Sequence, residues 1–192
     1  MGKIAVSEHT SLDGVMQSPG TTDVPFKYRG WVTDFDRGPE ADRFQLEQAQ
    51  NAEALLLGRV TYEAMHAFWP TAEGEFADRL NELPKYVVSS TVTDLPWNTT
   101  VLGDDWAEEV ARLRRDLDGD IVVYGSRRLS QALMKMGLVD ELRLMVYPVV
   151  LGAGDRLFGE TEEKIPLRVL ESRPFGEGGV VNMIYAPANA HG

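Results

Sequence analysis

The sequence predicts an α/β domain with a mostly parallel central sheet, helices on both of its faces and an antiparallel C-terminal edge. Two observations carry this. Up to about Met136, short apolar β-branched runs alternate with amphipathic stretches of helical period, the pattern of parallel strands joined by crossover helices. Beyond it the helical signals stop and strand-like runs follow one another, as antiparallel neighbours at a sheet edge do. A third observation bears on function: three of the runs end in small or basic polar residues, Gly58-Arg59, Ser89-Ser90-Thr91 and Gly125-Ser126-Arg127.

The elements follow in order. Residues 3–9 alternate as a first strand and close at the turn pair Asp13-Gly14. Residues 17–39, rich in Gly, Pro, Thr and aromatics, form a long loop of the kind that carries function. Pro39, Glu40 and Asp42 then open a helix running to about Ala52, with Pro near the first turn and acids where the macrodipole favours them. The apolar run 54–57, stopped by Gly58, reads as a buried strand, and TYEAMHAF (61–68) as a helix packed by Tyr62, Met65 and Phe68. Residues 76–83 add a second helical piece, and KYVVSS (85–90) a strand ending in hydroxyls. Residues 105–117 are amphipathic, with Ala107, Val110, Ala111 and Leu113 on one side. A strand at 121–124 meets Gly125-Ser126-Arg127-Arg128, followed by a helix at 129–136. The last third holds a strand at 141–150 with Pro148 near its end, a glycine turn at 152–154, and two strands at 167–171 and 180–185.

Composition narrows the function. With 192 residues, 43% hydrophobic and 26% charged, the chain is expected to fold as one domain over residues 1–187, with 188–192 a flexible tail. A net charge of −11 argues against nucleic acid or an anionic membrane as partner, so any phosphate site must be local. The absence of cysteine excludes disulfides, thiolate catalysis and Cys-based zinc sites. His9, His66 and His191 lack ligand spacing with any carboxylate cluster, so no metal is expected. No apolar run approaches about 18 residues, and MGKIAVSEHT is too short and polar for a signal peptide, which predicts a cytoplasmic protein. Neither a GxSxG elbow, a GxxxxGK[ST] loop nor a GxGxxG fingerprint occurs.

The strand ends therefore bear the chemistry. At a strand-to-helix junction Gly lets the backbone approach a ligand, and the first helical N–H groups point outward. An Arg and a hydroxyl beside them suit a phosphate. Three such ends on one sheet edge suit a long polyphosphate ligand, since ligands of such sheets sit at the carboxyl ends of the strands. Spacing alone leaves plainer alternatives open: Gly58 at a tight turn, Arg59 at the surface, Thr61 as an N-cap, Arg127 and Arg128 on a solvated helix face, and Glu40 and Asp42 as helix-start charges.

The segments SLDGVM (11–16), LLLGRVTYE (55–63), VVSS (87–90), VVYGSRRL (122–129) and YPVVLGAGDRLF (147–158) together resemble the dihydrofolate reductase superfamily. They are closest to the reductase domain of the bifunctional riboflavin-biosynthesis deaminase and reductase and to its stand-alone bacterial relatives. The resemblance spans nearly the whole chain and implies a three-layer dihydrofolate reductase-like fold and NADPH as cofactor. It implies that Gly58, Arg59 and Thr61 hold cofactor phosphates and that Ser89 and Ser90 with Arg59 favour the 2′-phosphate. Gly125, Ser126 and Arg127, together with Leu129, would cradle the pyrophosphate. In pterin reductases an acid on the helix before the GR-x-T strand promotes protonation. Asp42 stands at a comparable distance upstream of Gly58, and Glu40 is close enough to compete. SLDG and PVVLGAGDRLF belong to the riboflavin branch, whose substrate is a ribosylaminopyrimidine phosphate; these residues do not include its deaminase, so a place in riboflavin synthesis is not implied. Asp13 and Asp42 are thus the candidate catalytic residues, and Phe26, Tyr28 and Trp31 the candidate substrate contacts. The expected activity is NADPH-dependent hydride transfer to a small heterocyclic substrate, with a non-catalytic nucleotide or pterin sensor as the alternative. The apolar run 142–150, with few later elements to cover it, predicts a homodimer joined through residues 142–151 and 180–185.

Overall fold

A computed structural model describes residues 1–20, 25–161 and 163–188. Its centre is one eight-stranded sheet of order β4-β3-β2-β5-β1-β6-β8-β7. The strands are β1 (Ile4–Ser11), β2 (Ala52–Gly58), β3 (Lys85–Val88), β4 (Thr99–Leu102), β5 (Asp120–Tyr124), β6 (Glu141–Tyr147), β7 (Leu167–Phe175) and β8 (Val180–Pro187). Strands β4 to β6 in that spatial order pair in parallel, whereas β8 pairs antiparallel with both β6 and β7. The predicted α/β class and its antiparallel C-terminal edge are what the chain adopts.

Helices α1 (Gly38–Asn51), α2 (Arg59–His66), α3 (Glu75–Glu82), α4 (Trp106–Asp116) and α5 (Arg127–Lys135) divide between the faces. Side-chain alternation along the strands sorts the core accordingly. Ile4, Val6, Leu56, Ile121, Val123, Leu142 and Leu144 pack with α4 and α5 through Val110, Leu113, Leu129 and Leu133. Leu55, Leu57, Val87 and Val122 meet Tyr62 of α2 and Leu80 of α3 on the other face. Beside them Met145, Tyr147, Phe175 and Val180 meet Ala41 and Phe44 of α1, together with Trp31 and Phe35 of the long loop.

Several boundaries differ from expectation. The edge strand β4 carried no sequence signal, because four residues of mixed polarity after the left-handed pair Trp97 and Asn98 give no period to read. Helix α2 ends at His66, so Phe68 lies beyond it and is 57% exposed rather than packed. It also begins at Arg59, which puts Thr61 inside the first turn and not at the cap. Strand β6 stops at Tyr147, before Pro148, whereas β7 runs on to Phe175. Leu142, Leu144, Met145 and Tyr147 are already buried within the chain, so β6 is not the uncovered apolar strand its sequence suggests. Exposure falls instead on β7, where Val169 and Leu170 face solvent. Of the expected tail, Ala188 donates its N–H to the carbonyl of Pro166 (2.8 Å), and 189–192 lie outside the described residues.

Candidate active site

Strands β3, β2 and β5 are parallel neighbours, so the three polar strand ends lie side by side on one edge of the sheet. The two glycine junctions are tied to each other. Gly58 donates its backbone N–H to Ser126 Oγ (2.9 Å), and Ser126 donates its own N–H to Thr61 Oγ1 (2.8 Å). Ser126 Oγ–H then donates to the carbonyl of Tyr124 (3.0 Å). Gly125, at φ +56°, has no room for a side chain: a Cβ there would stand 2.9 Å from Thr61 Cγ2. Ser126 also adopts a left-handed conformation (φ 56°), a strained backbone of the kind that persists where a ligand site demands it.

Helices α2 and α5 both start at this edge, and neither has a side-chain cap, so their first N–H groups point outward. Arg59 and Arg127 stand at the two starts. Each is partly exposed and, among the described residues, paired with one surface carboxylate, Arg59 with Glu63 (2.6 Å) and Arg127 with Asp155 (3.3 Å), pairs that an incoming phosphate can replace. After β3, Ser89 Oγ accepts the N–H of Thr91 (3.2 Å), and Ser90 is exposed beside it. Leu129 is buried in the core behind the α5 start. Two helix starts, two guanidinium groups and a row of hydroxyls are a donor set that fits the phosphates of a dinucleotide. The structure thus brings together Gly58, Arg59, Thr61, Ser89, Ser90, Gly125, Ser126 and Arg127 along one edge, with Thr61 acting as the tie between two loops rather than as a cap.

The candidate acids are placed differently. Asp13 accepts the hydroxyl of Ser11 (2.7 Å) and the backbone N–H groups of Leu151 and Gly152 (3.0 Å each), with Arg156 alongside. These bonds, Ser11 first, hold its pKa down at about 2. At neutral pH it is a fixed carboxylate that clips the 11–17 loop onto the 149–157 loop. Asp42 lies on the exposed side of α1 in an ion pair with Arg37 (2.5 Å).

Arg37 opens a chain of hydrogen bonds that the sequence did not suggest. It donates to Gln45 Oε1 (3.0 Å), and Gln45 Nε2 lies 3.0 Å from His9 Nε2. His9 Nδ1 in turn lies 3.0 Å from the hydroxyl of Tyr147. Because the Gln45 oxygen faces Arg37, its NH₂ must donate to His9 Nε2, which leaves the His9 proton on Nδ1, donated to Tyr147. Burial, and secondarily the charge of Arg37, lower the His9 pKa to about 4, and burial raises that of Tyr147. No spacing rule connects residues 9, 37, 45 and 147; only the strand pairing of β1 with β6 and the docking of α1 do.

Under α1 a small cavity of about 20 Å³ opens between the helix and the sheet, lined by Ser7, Glu8, His9, Phe44, Gln45, Gln48, Tyr124, Arg143, Met145 and Asn182. Arg143 is neutralised there by Asp120 (2.6 Å) and Glu141 (2.7 Å). Burial holds the Glu8 carboxyl well above the usual carboxylate range, against the opposing bond from the Gly125 N–H. Of the three loop aromatics, Trp31 is buried against Tyr147 with its Nε1–H on the carbonyl of Gln17 (3.0 Å), Phe26 is half-buried near Gly154, and Tyr28 is exposed. None of them lines the cavity. A roomier hollow of about 230 Å³ lies beside α5, between Gln131, Met134 and Lys135 on one side and Phe158, Thr161 and Ile165 on the other. Among the described residues there is no cluster of three His, Asp or Glu side chains able to hold a metal, and no helix long and apolar enough to cross a membrane.

Comparison with known proteins places the chain in a family and a fold. The sequence model of the family described as RibD C-terminal domain matches residues 2–181. The chain is 31% identical over 138 residues to the uncharacterized protein YyaP of Bacillus subtilis (strain 168), covering 69% of this chain and 73% of that protein. Among solved structures it is similar to a putative riboflavin biosynthesis protein from Shewanella sp. PV-4, with TM-score 0.76 and 21% identity over 97% of this chain and 99% of that one. It is also similar to dihydrofolate reductase from Enterococcus faecalis complexed with NADP(H) and RAB-propyl, with TM-score 0.61 and 18% identity over 97% of each chain. At these identities the two structures speak for the fold.

Proposed function

Since the chain belongs to the RibD C-terminal domain family, we propose that it is an NADPH-dependent reductase that transfers a hydride to a small heterocyclic, pterin-like or ribosylaminopyrimidine-like substrate. The observation that supports it most is the interlocked pair of glycine junctions, Gly58 to Thr61 and Gly125 to Arg127, on the strand edge where a dinucleotide would lie. That a protein of the same fold is complexed with NADP(H) supports the same choice of cofactor. When bound, the nicotinamide would supply the hydride.

The chain's own residues would then bind and orient. Arg59, Arg127 and the first N–H groups of α2 and α5 would take the phosphates, Ser89 and Ser90 with Arg59 the 2′-phosphate, and Gly125, Ser126 and Leu129 would form the wall against the pyrophosphate. Phe26, Tyr28 and Trp31 would shape the loop that covers the substrate side. Asp42, ion-paired with Arg37, would promote protonation of the substrate, and Asp13 would fix the loops around the site. Residues 1–187 would serve as one reductase domain of a cytoplasmic homodimer.

A second reading, a non-catalytic nucleotide or pterin sensor, draws on one observation: Asp13 is a fully engaged carboxylate and Asp42 is held at the surface, so neither acid points at a substrate. Steady NADPH oxidation with dihydrofolate or another reducible pterin or pyrimidine separates the two. Under the reductase reading, Asp42→Asn lowers turnover roughly a hundredfold while NADPH affinity stays nearly unchanged. Tight NADPH binding without turnover of any of these compounds supports the sensor, and no NADPH binding sinks both.

A further inference from the structure

Lys85 opens β3 and is fully buried, a rare fate for a lysine. Its Nζ donates to the carbonyl of Asn81 on α3 (3.0 Å) and lies 4.1 Å from the centre of the Trp97 ring. No carboxylate among the described residues pairs with it, and burial lowers its pKa to about 8. An apolar side chain of similar volume would avoid that desolvation cost, so the buried charge calls for a role.

The charge sits where the two segments proposed to take the 2′-phosphate are joined. Trp97 donates its Nε1–H to Asn81 Oδ1 (2.7 Å), and Lys85 donates its backbone N–H to the carbonyl of Asn98 (2.9 Å). Trp97 (φ 68°) and Asn98 (φ 51°) are both left-handed, a conformation that a bulky Trp keeps only where its neighbours enforce it. They close the 89–98 loop, whose other end carries Ser89 and Ser90. From α2, the helix that begins at Arg59, Tyr62 donates its hydroxyl to the carbonyl of Pro96 (2.6 Å). The rings of Tyr62 and His66 stand 6.1 and 5.9 Å from that of Trp97. Trp97 is thus the hub between α2 and the serine loop, and a desolvated ammonium over its ring face holds it there.

We propose that Lys85 is a positioning residue for the cofactor: its ammonium, seated on Trp97, sets the 89–98 loop against α2 so that Ser89, Ser90 and Arg59 converge on a 2′-phosphate. This rests on the reductase reading given above. When Lys85 loses its proton the attraction to the indole goes with it, and Trp97 is free to leave its left-handed conformation. Preference for the 2′-phosphate is therefore present below about pH 8 and declines above it. Around Lys85, α2 presents Tyr62 and His66, α3 presents Arg79 and Glu82, which pair with each other (3.4 Å), and the loop holds Asp94. Lys85→Met removes the Lys85 titration alone and so separates it from theirs.

The affinities of NADPH and NADH for the full chain, measured by calorimetry at pH 7 and pH 9, test the proposal, because a phosphate with its second pKa near about 6 is almost fully dianionic at both. In the wild type the ratio favouring NADPH should fall about fivefold or more between the two, and in Lys85→Met it should be low at both. Trp97→Phe, which weakens the cation–π seat, should lower the ratio at pH 7 in the same direction. The emission of Trp97, taken as the difference between the wild type and Trp97→Phe, should titrate near pH 8 and stay flat in Lys85→Met. A wild-type ratio that is constant from pH 7 to pH 9 overturns the proposal without recourse to any variant. A fall that persists in Lys85→Met overturns it too, and so does a Trp97 emission that does not titrate. NADPH that binds at neither pH removes the reductase reading and this proposal with it, whereas NADPH that binds with a pH-independent preference leaves that reading standing and removes only the role of Lys85.

Discussion

The backbone N–H of Ser126 donates to Thr61 Oγ1 at 2.8 Å, so that the loop after β5 rests on the first turn of the helix after β2. The two residues are 65 apart in the chain, and their contact fixes the geometry of both helix starts at once. Thr61→Val keeps the shape of the side chain and removes the acceptor. It should cost on the order of 1–2 kcal/mol of stability, since the Ser126 N–H is left unpaired, and weaken NADPH about tenfold. Urea unfolding and a fluorescence titration read the two effects, and loss of stability with intact cofactor affinity would detach this tie from the binding site.

Arg59 beside Ser89 and Ser90 sets the second expectation. A guanidinium on a 2′-phosphate contributes on the order of 1.5–3 kcal/mol, so NADPH should bind at least about tenfold tighter than NADH. In the free protein Arg59 is held by Glu63, and Arg59→Ala should erase most of the preference. Equal affinities of the wild type for the two cofactors would contradict the assignment.

His9 predicts a pH dependence of stability. Its folded pKa is about 4, below the ordinary value of 6.5, because burial and Arg37 disfavour its charged form. Between those values the unfolded chain binds the extra proton, so stability is fully present above about pH 6.5 and is lost as pH falls towards 4. His9→Gln should flatten that part of the curve. Denaturant midpoints of the two proteins from pH 4 to 7.5 check it, and parallel curves would remove His9 as the cause.

Asp13 titrates lower, with a folded pKa of about 2 against an ordinary 3.8, held by Ser11 and the Leu151 and Gly152 N–H groups. Its contribution is present above about pH 4 and disappears as pH falls through 2. Asp13→Asn should therefore destabilise the protein at pH 6 and differ less from the wild type as pH approaches 2, as thermal melts across that range would reveal.

Assembly gives the last expectation. With β6 buried inside the chain, the outer strands are the part of the sheet that leaves apolar side chains uncovered: Val169 and Leu170 of β7 are exposed and Val181, Met183 and Tyr185 of β8 are half-buried. A homodimer should cover this surface with an interface of at least about 1,000 Å². Val169→Glu should dissociate it in light scattering at tens of micromolar, and a wild type of about 21 kDa under the same conditions would refute the dimer.

What the sequence determined by itself is whatever short-range chemistry encodes. The alternation of apolar runs and helical periods set the α/β class. The stops at Gly58, Ser89 and Gly125 marked the strand ends that carry the candidate phosphate site, because a strand end needs only its own residues to be legible. The five ordered segments placed the family, which the match over residues 2–181 bears out. The tertiary structure decided what depends on neighbours far apart in the chain. Only the sheet order sets β2 beside β5, which makes Thr61, expected from the sequence to hold a cofactor phosphate, a tie to Ser126. The exposure of Asp42 and the engagement of Asp13 follow from how α1 and the 149–157 loop dock, which spacing along the chain does not encode. The same holds for His9, Gln45 and Tyr147, and for Asn182, whose unpaired amide reaches the cavity under α1 because β8 pairs antiparallel with β6 and puts Asn182 opposite Met145. Strand register is a long-range property, and each of these side chains takes its role from the partner that register supplies.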